Sequence, residues 1–278
     1  MLSFASDPRG RGRRGICRCR PPSFFHYATR DVPFETATPE LRRHLTRDGR
    51  PALFTEYPEA DPILLPRIPD PRLSAPLEQT LHRRRTLRSF SAQPVSLHDL
   101  AVLLGAAFGP AEFLDGHEFG ALIRRTSPSG GVRQELDAYL ATPDVTGIPA
   151  GLFHYNAREH SLELLHEGLT HTEAGALRAH QEGTDQAAFI VFVVAAWERM
   201  RAKHRPPRAH RVSHLNAGHL GQTFTLAATA LGLGPSRPPP TTTPPSKTAS
   251  DSTAPPTAPC TPSPPDTPPP TLCPTPPT

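Results

Sequence analysis

The feature that most constrains folding is a change of composition at Gly234. Before it, aliphatic, aromatic and charged residues are mixed as in a chain that can build a core. Beyond it, residues 235–278 are largely Pro, Thr and Ser, with scarcely an aliphatic side chain except Leu272. Such a segment has too little apolar surface to offset its ordering entropy, and it reads as a disordered tail with local polyproline II character. Much of the excess among the 37 prolines of the 278-residue chain falls there. The foldable part is therefore on the order of 200 residues, enough for one sizeable core.

The other end is atypical too. Much of the formal charge of +4 comes from a basic stretch containing Arg9, Arg11, Arg13, Arg14, Arg18 and Arg20, which reads as a disordered leader over 1–23. The four cysteines, Cys17, Cys19, Cys260 and Cys273, lie in these two ends, and Cys17 and Cys19 are too close for the usual zinc pattern. The longest apolar run, Ala187 to Trp197, is about half of the ~20 residues that cross a bilayer. A cytoplasmic location with no membrane and no nucleic-acid partner is expected. The divisions that follow are a leader over 1–23, an N-terminal extension over 24–74, a folded domain over 75–234 and the tail over 235–278.

Within the domain, Ala75 to Ala107 has helical spacing. Leu81 is expected on the apolar side of a first helix, and Ser96 can cap a second carrying Leu97, Leu100, Leu103 and Leu104. Leu136 to Ala141 reads as a strand, and Gly151 to Tyr155 and Ser161 to Leu165 read as two strands around the polar turn Asn156 to His160. Thr172 to Gln181 reads as helical. Phe189 to Ala196 is the strongest strand signal and is expected in the middle of a sheet covered by helices. Val212, Leu215, Leu220, Phe224, Ala227, Ala228 and Leu231 recur at helical spacing, with Gly232 placed as a C-cap, and predict a long central helix. Strands that cluster in pairs favour an α+β, three-layer fold with a central mixed sheet over a doubly wound one.

Three stretches carry chemistry. The run Arg83-Arg84-Arg85-Thr86-Leu87-Arg88 supplies forked cationic donors and a hydroxyl, as an anionic ligand requires. Ser127-Pro128-Ser129-Gly130-Gly131 offers hydroxyls and a glycine turn whose backbone N–H groups can approach a ligand. Lys203 and His204 follow the strong strand, and an imidazole can act as a general base near neutrality. His154, His160, His166 and His171 do not have the spacing of a ligand set, and no metal is expected.

These segments, in this order with Asn216 to Gln222 further on, resemble the nitroreductase-like flavin oxidoreductases over about residues 24 to 234. Their SagB-type dehydrogenase branch, which includes azoline oxidases, is the nearest likeness, and Phe24 to Arg30 resembles a short motif near the start of those proteins. The resemblance implies FMN as cofactor and hydride transfer through flavin N5. It implies Arg84 and Arg88 on the phosphate, Arg85 and Thr86 along the ribityl chain, and Ser127, Pro128, Ser129 and Gly130 at the ring system. It implies Lys203 and His204 as catalytic residues near the substrate, with His204 where azoline oxidases carry tyrosine. A small-molecule or peptide-derived substrate and a homodimer are implied as partners. His219 resembles a helix position expected to pack, and Asn216 stands where an acidic residue is often found. The family's C-terminal part is expected to be missing, replaced by the proline-rich tail as in a shifted reading frame. A catalytically inactive relative, acting as a binding partner in a modifying complex, is the alternative.

Overall fold

Alternating side chains at Leu136, Ala138 and Leu140, at Phe153 and Tyr155, and at Leu162 give three neighbouring strands one apolar face, while Asp137, Tyr139, His154 and Glu163 point the other way. The computed structural model describes residues 25, 27–29, 50–67, 73–91, 93–117, 120–177, 186–204, 207 and 209–236, all within the first of two compact units, Met1–Pro244 and Pro245–Thr278. The basic leader, its cysteines and the tail beyond Ser236 lie outside the described residues.

The elements in chain order are β1 (Pro62–Leu64), α1 (Leu77–Arg83), β2 (Val95–Ser96), α2 (Leu97–Phe108), β3 (Glu112–Asp115), β4 (Ala121–Arg124), a short 3₁₀ turn (Gly130–Val132), β5 (Leu136–Thr142), β6 (Val145–Thr146), β7 (Gly151–Asn156), β8 (Ser161–Glu167), α3 (His171–Ala176), β9 (Ile190–Ala195), α4 (Trp197–Arg201) and α5 (Ala209–Ala230). The main sheet has the order β1-β8-β7-β5-β9, and every one of its described pairings is antiparallel. Its expected mixed character is confined to a separate parallel pair, Val95–Ser96 beside Val145–Thr146.

Local chemistry sets the element ends. The Ser96 hydroxyl accepts from the Asp99 N–H at 3.0 Å and starts α2. The Asn156 side chain accepts from the N–H groups of Arg158 and Glu159 and folds the β7–β8 turn. A register shift between Leu152 and Phe153 leaves Leu165 unpaired. The Thr170–Glu173 capping box starts α3, which ends at Ala176; the remainder of the expected helix to Gln181 is mostly outside the described residues. Helix α5 runs as expected, and Gly232 takes a φ of 77° just past its end.

Helices α2 and α5 cover the apolar face. Leu100, Leu104, Phe108, Leu140, Phe153, Leu162 and Leu220 form the main core, where truncating a large side chain to alanine costs about 2–5 kcal/mol. The opposite face is covered by residues 52–57, through Thr55 on Asp137 and Tyr57 on Tyr139, and by α3, whose Ala174 packs with Ala141 and Ile190. This is the expected α+β three-layer arrangement.

Three expectations are corrected. Among the described residues strand β9 lies at an edge of the sheet, not in its middle, and Val193 and Val194 are 41% and 38% exposed. Its apolar residues do face both layers, with Ile190 and Phe192 in one cluster and Val191 and Ala195 against the other. Hydrophobicity reports covered faces and says nothing of paired edges. Leu81 on α1 and Leu215 on α5 are 50% and 63% exposed, because those helices turn Thr80, and Ser213 with Asn216, inward instead.

Candidate functional site

Helix α5 acts as a ruler along which the three sequence motifs are arranged. The arginine run begins where α1 ends. The Arg84 N–H closes on the Thr80 carbonyl, and Arg84 then adopts ψ 121°, sending the chain out in extended form. The Leu87 N–H donates to the Pro235 carbonyl at 3.1 Å, so this segment runs beside the exit of α5. Between them lies a cleft of about 190 Å³ lined by Arg83, Arg85, Leu87, Thr229, Leu233 and Pro235. Arg85 Nη1 donates to the carbonyls of His82 and Arg84 at 2.7 and 2.9 Å, which fixes the guanidinium at the cleft wall. Of the four predicted residues of this run, Arg85 lines the cleft and is joined there by Arg83. Arg84 is half-buried, and Thr86 and Arg88 are exposed beside it. The same placement sets two cations near the carbonyl end of α5, where the helix dipole favours them.

The second motif is fastened to the middle of the helix, at Asn216 and Thr223. Thr126 donates to the Ala106 carbonyl at 2.6 Å and Arg125 to the Leu136 carbonyl at 2.6 Å, so the start of the loop is tied to α2 and to the strand that follows the loop. Ser127 donates to the Thr223 hydroxyl at 2.6 Å. Asn216, buried on α5, accepts from the Gly130 N–H at 3.0 Å and donates from Nδ2 to Ser129 Oγ and Glu135 Oε1 at 3.3 and 3.0 Å. Ser129 Oγ also accepts from the Gln134 N–H at 3.2 Å. Asn216 and Thr223 are seven residues apart, close to two helical turns, and so present one face. Thr229, in the arginine cleft, lies ~9 Å further along and about a third of a turn round the axis. The two motifs accordingly line different cavities.

Backbone conformation around this loop is unusual. Gly131 has φ 71°, and Val132 and Gln134 follow with φ 57° and 47°, a costly region for a β-branched residue. A Cβ on Gly130 would run into Val212, and one on Gly131 would lie 2.7 Å from His204 Nε2 and 3.0 Å from Lys203 Cδ. The missing side chain at Gly131 lets the third motif close over the loop, and that at Gly130 lets the loop lie against Val212 of α5.

That third motif follows α4. Its N–H groups fold back on Met200, with His204 N to the Met200 carbonyl at 2.9 Å. Buried Arg199 anchors α4 by donating to Asp137 at 2.7 Å, to Thr55 at 2.7 Å and to the Ala52 carbonyl at 2.9 Å. The structure thus brings Lys203 and His204 onto Gly131. Burial lowers the pKa of His204 below its ordinary value, and the charges of Lys203 and Arg133 lower it further, against the Gly130 backbone and Glu135. Burial, then Arg133, lowers that of Lys203. A neutral imidazole held beside a cation of reduced basicity can accept or relay a proton.

Asn216 and Glu135 were not singled out as site residues from the sequence. A signal was available, since Asn216 and Thr223 are polar positions seven apart on a helix face that is otherwise packed. His219, expected to pack, is exposed, because the buried face passes through Asn216 and Leu220. Away from the loop, His154 Nδ1 and Glu163 Oε2 pair at 2.7 Å under Tyr57 and Tyr139. Among the described residues no group of three or more metal-ligating side chains converges, and no helix is long and apolar enough to cross a membrane.

Comparison with known proteins adds independent findings. The nitroreductase family profile matches residues 81–235. The protein MJ1384 of Methanocaldococcus jannaschii, assigned as a nitroreductase, is 33% identical over 159 residues, covering 57% of this chain and 75% of that one. The trifolitoxin-processing protein TfxB of Rhizobium leguminosarum bv. trifolii is 30% identical over 148 residues, covering 50% of this chain and 38% of its own length. A solved structure from Anabaena variabilis, also assigned as a nitroreductase, superposes with a TM-score of 0.55 at 25% identity over 76% of this chain and 40% of that one. One from Ralstonia eutropha does so with a TM-score of 0.50 at 27% identity, over 72% and 82%. The chain thus spans about two-fifths of the length of TfxB and of the Anabaena protein.

Proposed function

The chain belongs to the nitroreductase family, and from that premise we propose that it is an FMN-dependent oxidoreductase of the SagB-type branch acting on a peptide-derived substrate. The observation that carries this reading is the closure of Lys203 and His204 onto Gly131, which puts a proton-handling pair beside the hydroxyl- and glycine-bearing loop Ser127–Gly130. The likeness to a trifolitoxin-processing protein supports the peptide-derived substrate.

The donor set at the far end suits the cofactor's anionic arm. Arg83 and Arg85 wall a cleft open to solvent with Thr229 at its side, and Arg84, Thr86 and Arg88 extend the cationic, hydroxyl-bearing surface along the same segment. Bound there, FMN supplies a two-electron carrier through N5. The chain's own residues do the rest. The arginines and Thr86 would hold phosphate and ribityl oxygens, Ser127 to Gly130 would border the ring system, and His204 would take the proton released at the substrate while Lys203 would keep the site cationic. Each charge-assisted bond to phosphate contributes about 1.5–3 kcal/mol.

The edge position of β9 among the described residues, with Val193 and Val194 exposed, favours a second reading, a non-catalytic relative that docks in a peptide-modifying complex. Titrating the purified chain with FMN and recording the visible spectrum separates the two. A shifted, saturable flavin band is expected, and a chain that leaves the spectrum of free FMN unchanged at micromolar concentration would exclude the oxidoreductase reading.

A further inference from the structure

Glu135 is a buried acid that the chemistry above does not use. It is 0% exposed, and only one of its carboxylate oxygens has a direct partner, with Oε1 accepting from Asn216 Nδ2 at 3.0 Å. Oε2 is buried without one, as is Nε of Arg125. Both residues line a cavity of about 10 Å³ together with Ser127, Ser129 and Asn216, roughly the space of one water molecule. An acid buried with so little direct pairing is expensive to keep. Its location suggests what offsets the cost. The side chain reaches Asn216, which carries the Gly130 N–H, while its own carbonyl accepts from the Ala196 N–H at 2.6 Å, the residue that opens the turn into α4 and hence to Lys203 and His204.

We propose that Glu135 is a positioning residue for the candidate site: through Asn216 it holds the Ser129–Gly130 turn, and its carboxylate opposes the cations that bear on His204. The groups bearing on His204 are Lys203 beside it, Arg133 and the Gly130 backbone from the loop, and Glu135 beneath the loop. Lys203 and Arg133 are cationic, so Glu135 is the acid that opposes them among the groups named. Its charge also reaches Arg125, whose pKa burial lowers to about 10, with Asp137 opposing that shift, Arg199 adding to it, and Tyr155 and Glu135 opposing it more weakly. The inference deepens the oxidoreductase reading by naming what sets the geometry and charge of its proton-handling pair.

The test uses the full ¹⁵N-labelled chain without flavin, so that failure of FMN binding and failure of this proposal are separate results. The His204 ring signals, assigned with His204→Gln, are titrated by NMR, and exchange of the Gly130 amide is followed in parallel. Glu135→Gln keeps size and an acceptor for Asn216. It is expected to weaken His204 protonation about three-fold, half a pH unit, with Gly130 protection retained. Asn216→Ala keeps the charge and is expected to speed Gly130 exchange about ten-fold or more without moving the His204 titration. An unmoved His204 in Glu135→Gln, or an unchanged Gly130 amide in Asn216→Ala, overturns the proposal. If Glu135→Gln does not fold, Glu135→Asp decides: unchanged His204 titration with faster Gly130 exchange supports it, and the reverse pattern sinks it.

Discussion

The two ends of α5 solve different problems with polar residues. Toward its start and middle, Ser213, Asn216 and Leu220 are buried, and a loop with strained backbone is tied down by hydrogen bonds from Ser127, Gly130 and Gln134. At its far end the helix opens onto a cleft whose arginines are exposed and whose one fixed guanidinium, Arg85, is held by local carbonyls. The loop donors Ser127, Gly130 and Gln134 each have a definite partner, so this part of the site is preorganised. An exposed cation keeps its hydration and needs no partner until a ligand arrives. Proton transfer needs positions fixed to a fraction of an ångström, whereas capture of an anion mainly needs charge.

The largest effect is expected below the rigid end. Arg199→Met removes the buried partner of Asp137 and the ties to Thr55 and Ala52, and should cost about 3–5 kcal/mol in denaturant unfolding. A loss below about 1 kcal/mol would mean that α4 is not anchored there. Two glycines then compare the ends directly. Gly130→Ala drives a methyl into Val212 and should cost about 1–3 kcal/mol, while Gly232→Ala meets open space and should lose only about 1 kcal/mol to its positive φ. Equal losses in thermal unfolding would erase the distinction.

At the open end, Arg85→Ala should leave stability within about 0.5 kcal/mol yet weaken FMN binding about ten-fold or more, as the loss of one charge-assisted phosphate bond implies. Flavin titration beside a melting curve reads both, and unchanged affinity would remove Arg85 from the anchor. The smallest effect is pH dependence. Burial lowers the pKa values of His160, His204 and His210 below 6.5, so the fold favours their neutral forms. The stability this contributes is complete above pH 6.5 and is lost as pH falls through the lowered values. The midpoint should decline between about pH 7 and about pH 5, and His204→Gln should flatten part of that slope. A midpoint rising with acidity would contradict it.

Most elements were legible in the sequence because their signals are local. Ser96 caps a helix through a group three residues away, alternation in β5 and β7 marks two faces, and Gly232 marks a helix exit. The arginine run, the glycine loop and the Lys203–His204 pair were legible as residue types suited to an anion, a ligand edge and a proton. Their arrangement was not. That Arg83 joins Arg85 at the cleft, and that His204 closes on Gly131, depends on the paths of α1, α4 and α5 in space.

By itself the sequence determined which segments can bury apolar surface, where the main helices begin, and that cationic and glycine-rich segments are available for an anionic ligand. These follow from composition and from periods of two and 3.6 residues, which the chain carries wherever it goes. Only the tertiary structure decided that β9 is an edge, that Leu81 and Leu215 face outward, and that Asn216 and Glu135 join the loop to the helix. Edges, facing directions and buried hydrogen bonds can join residues far apart in the chain, as Asn216 and Glu135 are, and no local pattern records which of many distant partners a side chain will meet.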